Sequence, residues 1–231
     1  MIVPCSNEDI PILKETKDLI AIQKPSGYLV HRSPLDQEKE RLILQLLRRK
    51  LGYHLYPVHR LDKPTSGVLV LAKSSEAASE MGELFRSHQV KKIYHALVRG
   101  WLAEPLLLDY PLKHPDTGAI QECQTRFETV AEYTLPFPID RFPEARYSLL
   151  QIEPKHGRRH QIRRHLKHLG HPIIGDTKYG KGNHNRLFRD QLGWQRLLLH
   201  CSELSFPWQG QELTITSYDQ KESWHRSLSQ F

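Results

Sequence analysis

One short segment of the sequence places a single carboxylate among several cations. Residues 59–63 read HRLDK, and the turn-prone residues PTSG follow at 64–67. Neighbouring positive charge lowers the pKa of an aspartate, so Asp62 would stay ionised, as a carboxylate nucleophile or base requires. A turn that leads into an apolar strand would present Asp62 on a rigid frame. On this string alone, however, an ordinary charged turn is the simpler interpretation.

A second segment, residues 156–165, reads HGRRHQIRRH. Gly157 allows an unusual backbone conformation where a helix would start. Arg159 and Arg163 are four residues apart and would share one face of that helix. Because Arg163 follows the apolar Ile162, it would lie at the edge of the core, where an arginine is well placed to pair with a buried carboxylate.

Positive charge is concentrated in this part of the chain. The 231 residues carry 33 Lys+Arg against 26 Asp+Glu, a net charge of +7, and between Lys155 and Arg189 the only acidic residue is Asp176. A cluster of one sign favours a polyphosphate-binding face, although a solvated cationic helix is the alternative. A zinc site is less favoured, because the surrounding cations would repel a metal and the candidate ligands lie on mixed helical faces. Those ligands would be His160, His165, His168 and His171.

The composition excludes several classes of protein. Three widely spaced cysteines form neither a disulfide scaffold nor a C-x-x-C metal knuckle, which is typical of a reducing compartment. No apolar run approaches the ~20 residues of a membrane span, and the amino end lacks the pattern of a secretory signal. We therefore expect a cytoplasmic protein without a membrane partner.

The elements that would position these side chains are mostly short strands. Because the strands outnumber the helices and no regular crossover helices separate them, the pattern indicates an α+β fold with a largely antiparallel sheet. Residues 178–189, rich in Gly, Asn and basic side chains, are expected to form a mobile RNA-contacting loop. The predicted strands are 19–22, 68–71, 93–98, 125–133, 147–152, 197–199, 204–206 and 213–215, and the predicted helices are 41–50, 75–88 with Ser74 or Ser75 as its cap, and 160–169.

Three blocks taken together resemble the ordered motifs of the RluA-type pseudouridine synthases. Tyr94, which follows Lys91-Lys92-Ile93, matches the tyrosine motif of that family. Each motif is weak alone, but four in the right order with compatible spacing are specific, and the resemblance runs from about Asp18 to Ile215. The blocks are DLIAIQKPSG (18–27), HRLDKPTSG (59–67) and GRRHQIR (157–163), the last followed by GHPIIGD (170–176) and YG (179–180).

The resemblance implies a fold and a reaction. The fold would be a pseudouridine synthase catalytic fold, a mixed sheet with flanking helices and a central RNA-binding cleft. We expect residues 1–231 to form one catalytic domain without an accessory RNA-binding domain, acting as a monomer. The reaction breaks the N1–C1′ glycosidic bond of a uridine, turns the base and rejoins it through C5, which needs no metal and no cofactor.

The resemblance also implies roles for individual residues. Asp62 would be the essential carboxylate, which either traps C1′ or removes a ribose proton, and Arg163 would be its ion-pair partner. Tyr94 would stack on the uracil and help remove the C5 proton, and Arg60 would enter the RNA helix where the base was. Residues expected to support the site or contact RNA phosphates are Lys24, His59, Thr65, Arg158, Lys178, Lys181 and Arg186.

Stretches between the motifs resemble the tRNA-modifying members of the family more closely, which implies isomerisation of the uridine at position 65 of tRNA. Residues 113–125 are expected to form a short loop. Three alternatives remain: a synthase acting on ribosomal RNA, a non-catalytic RNA-binding or ribosome-assembly module, and a metal-dependent nuclease. The nuclease would need clustered carboxylates, which the basic segment lacks. The stretches are 94–101, 109–112, 141–147 and 163–168.

Overall fold

The computed structural model describes residues 10–30, 42–217 and 220–231. Its strands are β1 (Ile12–Glu15), β2 (Leu19–Lys24), β3 (Tyr56–Pro57), β4 (Ser66–Ala72), β5 (Lys91–Arg99), β6 (Leu106–Asp109), β7 (Leu112–Lys113), β8 (Ile120–Gln121), β9 (Gln124–Leu135), β10 (Ala145–Pro154), β11 (Leu199–Trp208) and β12 (Gln211–Thr216). Its helices are α1 (Ile43–Leu51), α2 (Ser75–Arg86), α3 (Gln161–His168), α4 (Gly182–Leu192) and α5 (Gln220–Leu228). The chain divides into two compact units, Met1–Lys91 with Cys201–Tyr218 and Lys92–His200 with Asp219–Phe231.

The first unit contains strands in the order β1-β2-β4-β11, with β12 beside β11 and β3 beside β4. Strands β2 and β4 are antiparallel, and their register ends with Lys24 opposite Gly67. Both strands are nearly completely buried, as their continuous apolar runs predict. Side chains of α1 and of both strands form one apolar cluster, which includes Ile22, Ile43, Leu47, Leu69 and Leu71.

The start of α2 and the end of α1 lie where their sequences indicate, whereas α2 ends at Arg86, two residues before the predicted end. The hydroxyl of Ser74 accepts a hydrogen bond from the amide of Ala77, which caps α2 as expected. Helix α1 ends at Gly52, whose left-handed conformation (φ 78°) lets its amide donate to the carbonyl of Arg48. The sequence predicts α1 to begin at Arg41, which lies outside the described residues.

The second unit contains the strand order β5-β10-β9-β6, with every neighbouring pair antiparallel. Alternate residues of β5 and β10 belong to two different apolar clusters, so both faces of this sheet are covered. One cluster includes Ala96, Ile152, Ile162 and Leu166, and therefore lies under α3. The other includes Leu97, Tyr147, Phe188 and Trp224, and lies under α4 and α5. The α+β fold with largely antiparallel strands is thus confirmed.

Two segments differ from the expectation. The predicted mobile loop at 178–189 is wrong, because residues from Gly182 onward form helix α4. His184 and Phe188 are four residues apart and both buried, and the side chain of Asn185 accepts a hydrogen bond from the amide of Gly175 (2.8 Å). The predicted loop at 113–125 contains a short hairpin of β7 and β8. Within the described residues, no helix is both long and apolar enough to span a membrane.

Candidate active site

Asp62 lies in a tight turn between β3 and β4 of the first unit and is half-buried. The amide of Thr65 donates a hydrogen bond of 3.0 Å to the carbonyl oxygen of Asp62 and closes the turn. Because β2 pairs with β4 up to Lys24 and Gly67, the segment that follows β2 lies beside this turn. The motifs 18–27 and 59–67 are therefore neighbours in space.

The ammonium group of Lys24 holds the Asp62 turn from inside. Its Nζ donates to the carbonyl oxygens of Thr65 (2.8 Å), Lys63 (3.2 Å) and Pro25 (2.8 Å). An ammonium has three N–H donors, and each finds an acceptor here. Lys24 is 0% exposed, so of its two expected roles, support of the site and contact with RNA phosphate, this position suits support.

Two further donors from residues 24–27 also form hydrogen bonds with the backbone of the Asp62 turn. The hydroxyl of Ser26 donates to the carbonyl of Pro64 (2.7 Å), and the amide of Gly27 donates to the carbonyl of Lys63 (2.8 Å). Gly27 has φ 89°, a conformation that glycine adopts without the steric cost of a side chain. The carbonyls of residues 63, 64 and 65 are thus all hydrogen-bonded by residues 24–27, which fixes the backbone that carries Asp62.

Burial and the charge of Asp62 have opposite effects on the pKa of Lys24. Burial lowers the pKa of Lys24 to about 7, while the negative charge of Asp62 raises it. A buried cation therefore lies within electrostatic reach of Asp62 in the first unit. The sequence pattern does not reveal this interaction, because it leaves open whether Lys24 supports the site or contacts RNA phosphate.

His59, Thr65 and Arg60 occupy different environments around the turn. The Nε2 atom of His59 accepts a hydrogen bond from the amide of Val70 (2.9 Å), and its ring stacks on Phe85 at 5.0 Å. Thr65 is only 2% exposed. These positions suit support of the turn. The side chain of Arg60 is exposed, as a role in contacting RNA requires.

Gly67, the last residue of the motif, lies where β4 and β11 approach most closely. A Cβ atom at this position would be 2.1 Å from the carbonyl oxygen and 2.5 Å from the amide nitrogen of Cys201. Its φ of 120° also disfavours any residue with a side chain. The glycine is therefore required by packing at the base of the Asp62 turn.

In the second unit, Arg163 of α3 forms a buried bidentate ion pair with Asp176. Nε donates to Oδ2 at 2.7 Å and Nη2 donates to Oδ1 at 2.8 Å, and the two side chains are 5% and 0% exposed. The expected edge-of-core arginine with a buried carboxylate is present, but this carboxylate is Asp176. The pair of Arg163 with Asp62 stays a prediction.

Asp176 is held by more than Arg163. Its Oδ1 atom also accepts hydrogen bonds from the amides of Lys178 (2.9 Å) and Tyr179 (3.0 Å). Burial alone would raise the pKa of Asp176, but the Arg163 hydrogen bond and these amides hold it below its usual value. The Tyr179 ring lies 5.1 Å from the guanidinium carbon of Arg163. Asp176 thus fixes the guanidinium and the turn after it together.

Asp176 and Tyr179 are site residues to which the sequence pattern assigned no role. Both lie inside the motif blocks 170–176 and 179–180. The available signal was Asp176 as the single acidic residue of a long basic segment. A lone carboxylate in such a segment is the natural partner of the one arginine that the helix pattern directs toward the core.

Tyr94 lies on β5 of the second unit, opposite Ile152 of β10, and is half-buried against the apolar cluster under α3. The predicted RNA-contacting cations of this unit lie mostly at its surface. Lys178, Lys181 and Arg186 are exposed and Arg158 is half-buried. Arg158 is also tied to the start of α3, since its amide donates to Oε1 of Gln161 at 3.1 Å.

The four histidines of the alternative zinc site have separate partners. His160 Nδ1 lies 3.0 Å from the hydroxyl of Tyr179, and His171 Nδ1 lies 2.9 Å from the carbonyl of Arg99. His165 lies between Thr125 and the carbonyl of Tyr110, while His168 stacks on the Tyr110 ring. Among the described residues, no group of three or more His, Cys, Asp or Glu side chains could hold a metal ion.

Known proteins provide an independent comparison. A family model described as RNA pseudouridylate synthase matches residues 18–168. The chain is 46% identical to the tRNA pseudouridine synthase C of Vibrio cholerae over 234 residues, 96% of each chain, and 42% identical to that of Salmonella typhimurium, covering 96% of this chain and 90% of the relative.

Solved structures agree with this assignment. The human RNA pseudouridylate synthase domain containing 4 is 26% identical with a TM-score of 0.69, covering 93% of this chain and 90% of the human one. The human RNA pseudouridylate synthase domain containing 1 has the same fold, with a TM-score of 0.75 at 24% identity over 94% and 86% of the two chains. The RluA-type resemblance is confirmed, and the chain belongs to the RNA pseudouridylate synthase family.

Proposed function

We propose that this protein converts one uridine of tRNA, U65, to pseudouridine. The observation that carries the proposal is the 46% identity, along nearly the whole length of both chains, with a protein named tRNA pseudouridine synthase C. The clustered positive charge between Lys155 and Arg189 suits a polyanionic substrate. In this proposal residues 1–231 act as one catalytic domain and as a monomer in the cytoplasm, without a metal or cofactor.

Asp62 is the essential carboxylate of the proposal. Either it attacks C1′ of the target nucleotide as the N1–C1′ bond breaks, or it removes a ribose proton and so helps to expel the base. Both routes need an ionised carboxylate at a fixed position. The hydrogen bonds from residues 24–27 to the turn support the fixed position.

Arg163 and Tyr94 complete the proposed catalytic set. A pair between Arg163 and Asp62 rests on the family resemblance. Tyr94 would stack on the uracil, which must leave the RNA helix at a cost of ~2–4 kcal/mol. Arg60 would fill the vacated position in the helix, for which its exposed guanidinium is suited.

The direct test compares Asp62→Asn with the wild-type protein. The assay measures pseudouridine in a tRNA transcript, in the same transcript with U65 replaced by C, and in ribosomal RNA transcripts. We expect the wild type to modify only the first substrate, and Asp62→Asn to fall below ~0.1% of wild-type turnover while its RNA affinity changes only a few-fold. Asp109→Asn is the matched control, because Asp109 is exposed on β6.

Four kinds of result would contradict the proposal in different ways. Wild-type turnover by Asp62→Asn would remove Asp62 from the chemistry. Product in ribosomal RNA and none in tRNA would identify the substrate of the ribosomal alternative. Tight RNA binding without product in any transcript would favour the non-catalytic RNA-binding module, and loss of activity in a chelator would reopen the histidine–zinc site.

A further inference from the structure

A basic pocket lies on the surface of the second unit, and none of its lining residues is assigned to catalysis. Its volume is about 400 Å³, toward the lower end of the ~300–1,000 Å³ of small-ligand sites. The hairpin of β7 and β8, the start of α3 and the turn after Asp176 contribute its walls. The residues of the basic pocket are Lys113, His114, Pro115, Arg159, His160, Arg164, Lys178 and Tyr179.

The lining of the basic pocket is strongly cationic. It holds four Lys or Arg side chains and no acidic residue. In the described part of the chain, the only carboxylate that contacts one of these four cations is Asp116, whose Oδ2 lies 3.6 Å from Nη1 of Arg159. Like charges gathered around one cavity repel one another. Such an arrangement is favourable once an anion occupies the cavity.

The neutral polar groups of the basic pocket also favour an anion. The Nδ1 atom of His114 accepts hydrogen bonds from the amides of Asp116 (3.3 Å) and Thr117 (3.2 Å). The ring proton of neutral His114 is therefore on Nε2, which makes that atom a donor. Together with the cations, His114 gives a lining rich in hydrogen-bond donors, as a phosphate group requires.

The walls of the basic pocket are fixed by hydrogen bonds before any ligand binds. The amide of His114 donates to the carbonyl of Ala119 (2.7 Å) in the hairpin, and the amide of Arg164 donates to the carbonyl of His160 (2.9 Å) in α3. The amides of Lys178 and Tyr179 are held by the Asp176 carboxylate. Preformed walls lower the entropic cost of binding.

The positive charge continues beyond the basic pocket. Lys167 of α3 and Lys178 lie 5.9 and 5.6 Å from the same Tyr179 ring, and Lys181 and Arg186 are exposed farther along the chain. A site for one free phosphate needs no such extension. Lys167 lies outside the lining but close to the Tyr179 ring, and this extra cation suits an anion that itself continues, as the phosphates of an RNA strand do.

We propose that the basic pocket binds backbone phosphate of the substrate tRNA. This inference rests on the proposed function, and it adds Lys113, His114, Arg159 and Arg164 to the RNA-contacting surface. Phosphate contacts fix the register of a nucleic acid on a protein without reading its sequence. The pocket therefore contributes affinity and placement, and the Asp62 turn carries the chemistry.

The test uses the double variant Lys113→Ala/Arg164→Ala of the full chain. Fluorescence anisotropy gives the Kd for tRNA over a series of KCl concentrations, and steady-state assays give KM and kcat. For each of the two cations removed, we expect Kd and KM to rise by on the order of three- to ten-fold, with a much smaller change in kcat. The slope of log Kd against log [KCl] should fall by ~1 for each cation removed.

Two further variants keep the test specific. Arg164→Lys retains the positive charge and should restore most of the salt slope, which separates charge from packing. Arg86→Ala removes one exposed arginine from α2 of the first unit, where it pairs with Glu83 at 2.7 Å, and should leave the slope unchanged. Thermal unfolding of every variant verifies the fold.

The outcomes distinguish the inference from the proposed function. If the wild type forms pseudouridine and the double variant shows the same Kd and salt slope, the inference is wrong and the function stands. If the double variant loses affinity but no protein forms product, the pocket binds RNA and the proposed function is wrong. If inorganic phosphate binds the wild type in calorimetry while tRNA affinity ignores both substitutions, the pocket serves a free phosphate and the inference is overturned.

Discussion

Replacement of Lys24 by Met tests whether a buried ammonium holds the Asp62 turn. Methionine has a similar shape but removes the donor that now serves the carbonyls of Pro25, Lys63 and Thr65. Two effects on the free energy of unfolding oppose each other at neutral pH. Buried carbonyls that lose their donor cost ~1–3 kcal/mol each, while removal of a buried charge is favourable.

The pH dependence separates these two effects. Burial lowers the pKa of Lys24 to about 7 in the folded protein, whereas an unfolded lysine has a pKa of ~10.4. The unfolded chain therefore holds a proton that the folded chain gives up between these values. Stability is lost as the pH falls from ~10 toward ~7 and is gained as the pH rises. With ~1.36 kcal/mol per pKa unit, the wild type should gain ~2 kcal/mol between pH 7 and pH 9 from this group.

The assay is urea unfolding of both proteins at pH 7 and pH 9. Because every other titrating group is common to both proteins, the difference in free energy of unfolding isolates Lys24. Lys14→Met, at an exposed position of β1, is the control for the same chemical change. The kcat of Lys24→Met should fall at least ~10-fold, since a loosened turn misplaces Asp62. Parallel pH curves for the wild type and Lys24→Met, or an unchanged kcat, would refute the reasoning.

Two other substitutions test the backbone and the second unit. Asp176→Asn should lower the free energy of unfolding by ~3–5 kcal/mol, because it leaves Arg163 buried without a carboxylate. The pKa of Asp176 is lower in the folded protein than in the unfolded chain. Its ionised carboxylate therefore stabilises the fold above the unfolded pKa of ~4, and this contribution is lost as the pH falls further. Unfolding measured along an acid titration should show this loss in the wild type and not in the variant. Gly67→Ala should destabilise by ~3 kcal/mol or more, because its Cβ would be 2.1 Å from the Cys201 carbonyl. Gly52 also has a positive φ, but nothing lies within 4 Å of a Cβ atom at this position. Gly52→Ala should therefore lower the free energy of unfolding by only ~1 kcal/mol. Equal melting temperatures for the two glycine variants would show that β4 and β11 can separate.

The sequence predicted those elements for which intrinsic propensity and the pattern of burial favour the same secondary structure. Helix α2 begins at Ser75 after the cap Ser74, and the buried strand β4 surrounds the predicted run 68–71. In these segments periodicity, capping and apolar content favour the same structure. The pattern alone was therefore sufficient to place them within a few residues.

Helix α4 could not be predicted in this way, because its sequence is poor in helix-forming residues. It begins with Gly182 and includes two asparagines, which favour loops when taken alone. Its stability comes from contacts made elsewhere in the chain. Phe188 packs against Tyr147 and Trp194, and the side-chain amide of Asn185 donates to the carbonyl of Asp176 at 3.1 Å. Intrinsic helix propensity does not include tertiary contacts of this kind.

The same limit of prediction from sequence applies to the contacts within the candidate site. Sequence motifs supplied the candidate side chains, and four of the named positions lie in or beside the Asp62 turn: Lys24, His59, Arg60 and Thr65. The motifs do not show which groups contact each other, because a surface lysine and a buried lysine that donates to three carbonyls are indistinguishable in the sequence. Arg163 is the clearer case. Its helix pattern indicated a buried carboxylate partner, and the chain offers Asp62 from one motif and Asp176 from another.

Asp176 completes the Nε–Nη2 edge of Arg163 with both of its oxygens, while its Oδ1 also accepts two backbone amides. A carboxylate with that many donors fixes both the guanidinium and the turn at 176–179. Asp62 is different, because residues 24–27 hold its turn through the backbone carbonyls of the residues that follow it, and the turn keeps its shape without using the carboxylate as an acceptor for those donors. Asp176 is thus a structural carboxylate of the second unit, whereas the catalytic role of Asp62 stays a prediction that Asp62→Asn tests.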